Sequence, residues 1–381
     1  MTISVAIVGA GPSGFYAAQA LVDRKIDCRI DLIEVLPTPF GLIRGGVAPD
    51  HQHTKRVTKS YEQTAAQPQV NFYGNVSVGR DINIGELRAL YDSVILAVGM
   101  PLDSRLNLPG EHLKGVYGAA DFVGWYNGHP ASRELDPLLD DTRVAIIGNG
   151  NVALDIGRLL AKTRAETATT DMPDYAVDAI QNSPVTDIYI LGRRGVADAK
   201  FTNVELREIE RLANCAPVVD AQDLSDEIPI DLSDRDKRLR ERNIATFKAF
   251  SDIDPKGKAK RLHFNFYSMP MEILGKDRVR GLRLQRTVVK DGEAMGTGQF
   301  FDVTCGAVIA AIGYRAAPPE GVPVDDKRGV VSNTDGRVER GLYVVGWAKR
   351  GPTGVISSNK PDGKLVAEQI DEDFDAGSKP G

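Results

Sequence analysis

Two glycine-rich stretches of the chain combine residue types that suit a pyrophosphate. The first, VAIVGAGPSG, contains Gly9, Gly11 and Gly14, and the second, VAIIGNGNVA, contains Gly148 and Gly150. In a G-x-G-x-x-G/A pattern the first glycine permits a tight turn and the second lets the backbone approach the phosphates. The N–H groups at the start of the following helix then point at the anion. Each stretch therefore predicts a dinucleotide site.

The elements predicted around both stretches are the ones this motif requires. An apolar strand precedes each turn, at Val5–Val8 and at Val144–Ile147, and a helical pattern follows, over Ser13–Leu21 in the first copy. Ala153 supplies the small third residue of the second copy. A glycine motif alone is weak evidence, and the strand–turn–helix context strengthens it. Two nucleotide sites are therefore favoured over two structural turns.

The residue that ends the second strand of each unit distinguishes two nucleotides. RIDLIEV reaches Glu34, whose carboxylate would accept hydrogen bonds from ribose hydroxyls and repel a 2′-phosphate. DIYILGRRG ends instead in Arg193 and Arg194, and guanidinium groups suit the 2′-phosphate of NADP. An ordinary pair of surface arginines is the alternative, and the long interval between Ala153 and Arg193 is atypical of the motif. The first site is predicted to bind FAD or NAD, and the second NADP.

A bound flavin and a diffusing NADPH would form an electron relay. Hydride passes from nicotinamide to flavin, and the flavin can release electrons one at a time. The cofactors carry this chemistry, so the relay needs no side-chain nucleophile, and the sequence offers no evident one.

Composition limits the other classes of function. The 381 residues can form two or three domains, and a net charge of −5 gives no reason to expect nucleic acid. No apolar run is long enough for a membrane span, and no export signal is recognised. Cys28, Cys215 and Cys305 lack a C-x-x-C arrangement, which argues against a redox dithiol and fits a reducing cytoplasm. His51 and His53 lack a third metal ligand, so no metal site is predicted.

Two similar apolar strands indicate where the chain leaves the first domain and returns to it. SVILAVGM at Ser93–Met100 and AVIAAIGYR at Ala307–Arg315 both contain A-x-G at their ends. We therefore predict an α/β fold with two Rossmann-like domains, one inserted in the other. The FAD-binding domain would comprise residues 1–103 and 315–381, and the NADP-binding domain residues 104–314.

Two other segments differ in composition from the predicted strands and helices. Glu34–Lys55 contains three prolines and three glycines and is predicted to be an irregular loop. Thr163–Pro184 is predicted to be a polar insertion. Further along, residues Asp223–Asp254 form a charged region, and DRDKRLRERN in its middle is predicted to form an exposed helix.

Five motifs together resemble the adrenodoxin-reductase-type ferredoxin–NADP reductases. In chain order they are VAIVGAGPSGFYAA, EVLPTPFGLIRGGVAPDH, IIGNGNVALDIGRLL, LGRRG and VVGWAKRGPTGVI, and they cover nearly the whole chain. The resemblance implies a glutathione-reductase-like pair of domains, with FAD in the first and NADP in the second. It also implies a small ferredoxin-type iron–sulfur protein as the electron partner.

The same resemblance implies the residues of both nucleotide sites. Those expected to line FAD are Gly9, Gly11, Ser13, Gly14, Glu34, Leu42, Val78, Trp347, Gly354, Val355 and Ile356. Those expected to line NADP are Asn149, Gly150, Asn151, Val152, Arg193, Arg194, Glu205 and Gly354. Without the resemblance, Trp347 is equally well explained as a core residue and Glu205 as part of a solvated helix face.

Three further residues match positions near the flavin in this family. His51, Asp155 and Glu208 are expected to form a proton route or to position other groups. Alternatively, His51 caps a loop and Asp155 is a buried helix acid bonded to the backbone. Hydride transfer itself requires no acid, so both interpretations stay open.

The chain departs from the family pattern in two places. DSRLNLPG places Ser104 before Arg105, where the family has an arginine directly after the aspartate, so the role of Arg105 is open. Members of the family continue well past the GPTGVI segment, whereas this chain ends at Gly381. We therefore expect that a C-terminal segment is missing and that the packing of the first domain is incomplete.

Other functions stay open on the sequence alone. A flavoprotein subunit related to the small subunit of glutamate synthase would carry a cysteine-rich module before the first strand. A non-catalytic nucleotide-binding scaffold is also compatible with the fold, although the arginine pair counts against it. A thioredoxin-type disulfide reductase is disfavoured because C-x-x-C is absent. The direction of electron flow and the oligomeric state are not determined.

A basic run in the charged region is the predicted docking surface for an acidic partner. It comprises Arg235, Lys237, Arg238, Arg240 and Arg242. Residues three and four apart share a helix face, so Arg235, Arg238 and Arg242 would form one stripe. The alternative is an ordinary solvated helix whose interleaved acids neutralise the arginines.

Overall fold

The structure is a computed structural model that describes residues 2–225, 228 and 232–375. Its strands are β1 Ile3–Val8, β2 Cys28–Ile33, β3 Val70–Tyr73, β4 Ser93–Leu96, β5 Leu102–Asp103, β6 Val116–Gly118, β7 Arg143–Ile147, β8 Asp187–Leu191, β9 Cys215–Val219, β10 Lys260–Asn265, β11 Ser268–Gly275, β12 Val279–Lys290, β13 Glu293–Thr304, β14 Ala307–Ala310, β15 Tyr314–Arg315, β16 Val324–Asp325, β17 Val330–Val331, β18 Arg337–Glu339 and β19 Leu342–Val344.

Its α-helices are α1 Pro12–Asp23, α2 Leu42–Gly45, α3 Gln52–Lys55, α4 Thr58–Ala65, α5 Ile84–Leu90, α6 Ala119–Tyr126, α7 Asn151–Ala161, α8 Arg164–Thr167, α9 Asp174–Gln181, α10 Asn203–Glu208, α11 Asp234–Ser251, α12 Trp347–Arg350 and α13 Lys360–Asp375. Short 3₁₀ turns are Pro130–Ser132, Val196–Asp198, Ile209–Arg211, Ala221–Asp223 and Ile356–Asn359. Within the described residues, no helix is both long enough and apolar enough to cross a lipid bilayer.

The chain divides into two compact units. The first unit comprises Met1–Val47, His51–Leu102 and Gly313–Gly381, and the second comprises Ala48–Asp50 and Asp103–Ile312. The predicted boundaries after residues 103 and 314 lie one and two residues from these. The sequence did not indicate that Ala48–Asp50 packs with the second unit.

The first unit is built on a six-stranded sheet in the order β18-β19-β4-β1-β2-β3. β1 is central and runs parallel to β2 and β4, because its continuous apolar sequence suits a strand buried on both faces. On one face α1 packs against β1 and β2, and Val366 and Ile370 of α13 pack in the same cluster as Phe15 and Leu21 of α1. This arrangement places the first glycine turn at the carboxyl end of β1.

The second unit has the same strand–turn–helix arrangement, on a sheet in the order β6-β14-β7-β8-β10-β9. β7 lies between β14 and β8 and is parallel to both, so the second glycine turn again follows a central strand. α7 buries Leu154 and Leu159 in the main core of this unit. A separate antiparallel sheet, β11-β12-β13, packs its inner residues such as Leu282 and Leu284 against Ala145 and Val308.

The segment predicted to be an irregular loop and the segment predicted to be a polar insertion both contain short helices. α2 and α3 lie in Glu34–Lys55, and α8 and α9 lie in Thr163–Pro184. α8 begins with a capping box in which Thr163 and Glu166 bond each other's backbone amides. α9 buries Ala176, Val177 and Ile180 on one side. Caps and a narrow apolar stripe therefore form helices here despite the polar composition.

Candidate nucleotide sites

The first glycine turn has the geometry that its motif predicts. Gly9 has φ +106°, and a Cβ there would lie 2.5 Å from the carbonyl oxygen of Ala97. Gly11 is the extended N-cap residue of α1, and Pro12 occupies the first helical turn, where its missing N–H costs nothing. A Cβ on Gly14 would overlap the backbone of Gly9. Gly9 and Gly14 are therefore required by the close approach of strand, turn and helix.

Glu34 lies directly after β2 and beside this turn. Its carboxylate is buried and accepts hydrogen bonds from the amide of Ala10 at 2.8 Å and from the amide of Leu36 at 3.1 Å. Ala10 is the residue between the first two glycines, so the acid and the turn form one rigid corner. This corner is where the motif places a ribose.

A buried polar network connects the C-terminal part of the first unit to α1. Asp362 accepts hydrogen bonds from the amide of Gly346 at 3.1 Å and from Lys349 Nζ at 3.0 Å, and it also pairs with Arg350. The side-chain oxygen of Asn359 accepts from Arg350 at 2.9 Å and from the hydroxyl of Ser13 at 3.2 Å. The network fixes Ser13 relative to the segment that carries Trp347. Asp362 and Asn359 were missed by the sequence reasoning because nothing local links them to Ser13.

The remaining FAD candidates all lie in the first unit. Trp347 is half-buried and stacks on Tyr314, with ring centroids 5.9 Å apart. Its partial exposure differs from that of Trp125, which is only 2% exposed in the second unit. Gly354 has φ +82° and precedes the 3₁₀ turn at Ile356–Asn359. The half-buried candidates also include Leu42, at the start of α2, and Val78, while Val355 is exposed.

The second glycine turn leaves open space in front of its backbone. Gly148 has φ +145°, and a Cβ there would lie 2.9 Å from the carbonyl carbon of Ala311. Apart from Gly150 and its chain neighbours, no heavy atom of the described residues lies within 4 Å of the position that a Cβ on Gly150 would take. Gly150 is the extended N-cap residue of α7, which begins at Asn151. A phosphate can therefore approach the first amides of this helix.

Two asparagines of the second turn accept hydrogen bonds from the segment that precedes α10. The carbonyl of Asn149 accepts from the amide of Lys200 at 2.8 Å, and Asn151 Oδ1 accepts from the amide of Thr202 at 2.9 Å. The hydroxyl of Thr202 donates to the carboxylate of Glu205. Glu205 is half-buried at the start of α10, so it belongs to this corner rather than to a fully solvated face.

The predicted arginine pair lies at the carboxyl end of β8. Arg193 is exposed, whereas Arg194 is half-buried and its Nε atom is buried without a hydrogen-bond partner in the described part of the chain. The side chain of Asn149 occupies the space where a Cβ on Gly192 would lie. The arginines and the second glycine turn are therefore immediate neighbours in one unit.

Asp155 and Glu208 meet at a buried arginine that the sequence analysis did not single out. Arg158 is 2% exposed and pairs with Asp155 at 2.7 Å, with Glu208 at 3.4 Å and with Asp50. Lys162 Nζ adds a second cation 3.0 Å from Asp50. Burial alone would lower the pKa of Arg158, but the nearby carboxylates of Asp155 and Asp50 raise it above its ordinary value. We call these five residues the Arg158 cluster.

The Arg158 cluster changes the interpretation of the predicted proton-route residues. Asp155 and Glu208 are both ion-paired with Arg158 in the second unit, which gives Asp155 a side-chain partner that neither interpretation predicted. His51 is in the first unit, one residue after the Ala48–Asp50 segment, and occupies the N-cap position of α3. Its side chain makes no N-cap hydrogen bond to α3, and the predicted loop-capping role stays a prediction. The i, i+3 spacing of Asp155 and Arg158 was the available signal.

The predicted basic stripe on α11 is largely exposed. Arg235, Arg238 and Arg242 all point to solvent, and the helix is capped by Ser233. Arg240 differs, because it donates to the carbonyl of Ala197 and lies 3.5 Å from Asp198. Arg240 therefore belongs to the fold rather than to the proposed docking surface.

Two sheets, parallel except for the β18–β19 pair and each leading through a glycine turn into a helix, define an oxidoreductase of the pyridine-nucleotide class. The sequence model of the pyridine nucleotide-disulphide oxidoreductase family matches residues 3–190. NADPH-ferredoxin reductase FprA of Mycobacterium tuberculosis is 41% identical, over 96% of this chain and 83% of that protein. The mitochondrial NADPH:adrenodoxin oxidoreductase of Arabidopsis thaliana is 40% identical, over 98% of this chain and 83% of that protein.

A solved structure agrees with these relatives. Mycobacterium tuberculosis FprA in complex with NADPH superimposes with a TM-score of 0.94 and 40% identity, over 99% of this chain and 85% of that one. The chain belongs to the family of NADPH-dependent ferredoxin and adrenodoxin reductases. The predicted family and the predicted fold class are thereby confirmed.

Proposed function

We propose that this protein is an FAD-dependent reductase that transfers electrons between NADPH and a ferredoxin-type iron–sulfur protein. The observation that carries the proposal is the contrast between two similar turns. The strand beside the first turn is followed by the carboxylate of Glu34, and the strand beside the second turn is followed by the guanidinium groups of Arg193 and Arg194. Relatives at about 40% identity are named for NADPH and for ferredoxin or adrenodoxin. The family therefore favours a reductase over the glutamate synthase subunit and the scaffold.

The residues of the first unit fit FAD. Gly11 is the N-cap residue of α1, so the helix starts without a side-chain cap among the described residues and its first amides lie beside a glycine-rich turn. Glu34 supplies an acceptor for ribose hydroxyls, and Gly354 and Trp347 offer a glycine backbone and an aromatic face. When bound, FAD supplies the chemistry that accepts a hydride and releases single electrons. The chain itself binds and orients both nucleotides.

The residues of the second unit fit NADPH as a substrate. The open space at Gly150 admits a pyrophosphate, and Arg193 and Arg194 provide charge-assisted donors for a 2′-phosphate. We assign Asp155 and Glu208 a positioning role, because their ion pairs with Arg158 hold them in place. The proton route through His51 stays a prediction.

The same proposal includes a cytoplasmic location. It is supported by three free cysteines, Cys28, Cys215 and Cys305, each buried apart from the others. Burial raises the pKa of the Cys28 thiol to about 11 and those of Cys215 and Cys305 to about 12, so all three are unreactive thiols. Separate reduced thiols are typical of proteins in reducing compartments.

The proposal predicts that the purified protein binds FAD and not FMN. The turn Gly9–Gly14 and Glu34 are suited to a pyrophosphate and to the adenosine ribose, which FMN lacks. Denaturing extraction followed by chromatography identifies the flavin, and reconstitution of the apoprotein with each flavin serves as the control. Recovery of FMN alone, or equal affinity for both flavins, would contradict the assignment of the first unit.

The exposed stripe on α11 predicts a salt-dependent reaction with ferredoxin. An acidic partner is steered by a basic surface, and salt screens that attraction. Ferredoxin-coupled turnover should therefore fall with ionic strength, while NADPH-driven reduction of a small neutral acceptor should change less. The triple variant Arg235→Glu, Arg238→Glu, Arg242→Glu should lose most of this salt dependence.

A matched triple variant separates the stripe from net charge. Arg133, Arg164 and Arg211 are exposed arginines of the same unit, and their reversal to glutamate changes the net charge equally. Only the α11 variant should alter the salt slope with ferredoxin. Equal slopes in wild type and in the α11 variant would remove α11 as the docking surface without affecting the two nucleotide assignments.

A further inference from the structure

We call residues 192–194 the arginine corner. Their three consecutive carbonyls accept hydrogen bonds from a segment that is distant in sequence. The carbonyl of Gly192 accepts from the amide of Ser268 at 2.9 Å, and that of Arg194 accepts from the amide of Tyr267 at 3.2 Å. The middle carbonyl, that of Arg193, accepts from the side-chain hydroxyl of Thr287 at 2.8 Å. Two of these bonds use backbone amides that almost any residue supplies. The third depends on the identity of one side chain.

Thr287 is well placed to act as a fixed support. It is 5% exposed on β12, and its own amide donates to the carbonyl of Tyr267 at 3.0 Å. The amide of Tyr267 in turn donates to the carbonyl of Arg194, so Thr287 and Tyr267 hold two neighbouring carbonyls and are bonded to each other. Next to Thr287 the sheet is irregular: three residues, 297–299, stand opposite the single Arg286. Irregularities of this kind redirect side chains in a sheet.

We propose that Thr287 is a positioning residue that sets the preference of this protein for NADPH over NADH. Its hydroxyl holds the backbone from which Arg193 and Arg194 extend toward the 2′-phosphate. The inference rests on the proposed function, in which these two arginines bind that phosphate.

The physical reason lies in the exposure of Arg193. Because its side chain is in solvent, neighbouring side chains do little to restrict its rotamers, and the backbone is the part that the fold holds. A binding group gains most when its support keeps it within about 0.5 Å of the productive geometry. Without the hydroxyl, the Arg193 carbonyl loses its hydrogen-bond partner. The backbone of residues 192–194 then shifts so that this carbonyl can bond water, and both guanidinium groups move away from the position that binds the 2′-phosphate.

The test compares Thr287→Ala with Thr287→Ser. Both substitutions remove the γ-methyl, and only alanine removes the hydroxyl, so the pair isolates the hydrogen bond. The probes are adenosine 2′,5′-bisphosphate and 5′-AMP, which lacks the 2′-phosphate, bound to the flavin-loaded protein and measured by titration calorimetry. Thr287→Ala should weaken the bisphosphate about five- to tenfold, which is the size expected for one neutral hydrogen bond. Binding of 5′-AMP should stay within about twofold, and Thr287→Ser should resemble wild type.

Steady-state kinetics gives a second readout. Thr287→Ala should raise KM for NADPH by the same factor and leave both kcat and the KM for NADH unchanged. Thr167 provides the matched control, since it is 4% exposed and its hydroxyl donates to the carbonyl of Arg164 at 2.9 Å. Thr167→Ala removes the same kind of buried bond and should leave the nucleotide preference intact.

The outcomes separate the inference from the proposed function. If wild type binds the bisphosphate no better than 5′-AMP, the assignment of the arginine pair is wrong. If wild type discriminates and Thr287→Ala discriminates equally, the arginine assignment stands and the role of Thr287 is overturned. The same holds if Thr287→Ser loses as much preference as Thr287→Ala, because the methyl and not the hydroxyl would then matter.

Discussion

Replacing Arg193 and Arg194 together with alanine is expected to raise the KM for NADPH about 100-fold or more. Each charge-assisted hydrogen bond is typically worth about 1.5–3 kcal/mol, and each 1.4 kcal/mol is a factor of about ten. The KM for NADH should change less than about threefold, because NADH has no 2′-phosphate for the arginines to contact. The kcat with saturating NADPH should stay near the wild-type value, since the lost contacts are far from the nicotinamide.

Initial-rate measurements with a small neutral acceptor test this without involving ferredoxin. A control variant with Arg133→Ala and Arg164→Ala removes two exposed arginines of the same unit and should leave both KM values unchanged. Flavin content is measured in each variant, so that loss of FAD is not mistaken for loss of NADPH binding. Equal increases in KM for NADPH and NADH would mean that the arginines support the fold rather than the 2′-phosphate.

Replacing Arg158 with methionine is expected to destabilise the second unit by about 3–5 kcal/mol, the range observed when one partner of a buried ion pair is removed. Methionine fills much of the same volume but leaves the carboxylates of Asp50, Asp155 and Glu208 without their shared cation. Lys162 stays beside Asp50 and compensates only part of the loss. Because Asp50 lies in the Ala48–Asp50 segment, this segment should also lose its attachment to the second unit.

Urea unfolding measures the loss of stability, and amide hydrogen exchange locates it. The urea midpoint should fall, and protection should decrease first in α7 and around residues 48–50. Arg164→Met is the matched control, because Arg164 pairs with Asp178 and both side chains are more than half exposed. An exposed pair contributes about 0–1 kcal/mol, so the control should unfold close to wild type. A similar small effect of both substitutions would show that the Arg158 cluster contributes little net stability.

The sequence was sufficient for the features whose determinants lie close together in the chain. Each glycine turn, with the strand before it and the helix after it, spans about 20 consecutive residues, and its first glycine, Gly9 or Gly148, has a positive φ that favours glycine. Glu34 and Arg193 could be placed because each ends the strand beside its own turn. The resemblance to the reductase family rested on the same local motifs, and the comparisons confirmed it.

The tertiary structure decided which distant residues support these motifs. Arg158 pairs with Asp50, which lies more than a hundred residues earlier in the chain. Thr287 donates a hydrogen bond to the carbonyl of Arg193, which lies 94 positions before it. Arg240 was included in the basic run because of its charge, yet its side chain donates to the carbonyl of Ala197. Pairings of this kind are satisfied only when separate elements pack, because a buried charge or carbonyl takes whichever partner the fold brings near it. Periodicity and turn chemistry predict a segment's own conformation, but they do not identify the surface against which that segment packs.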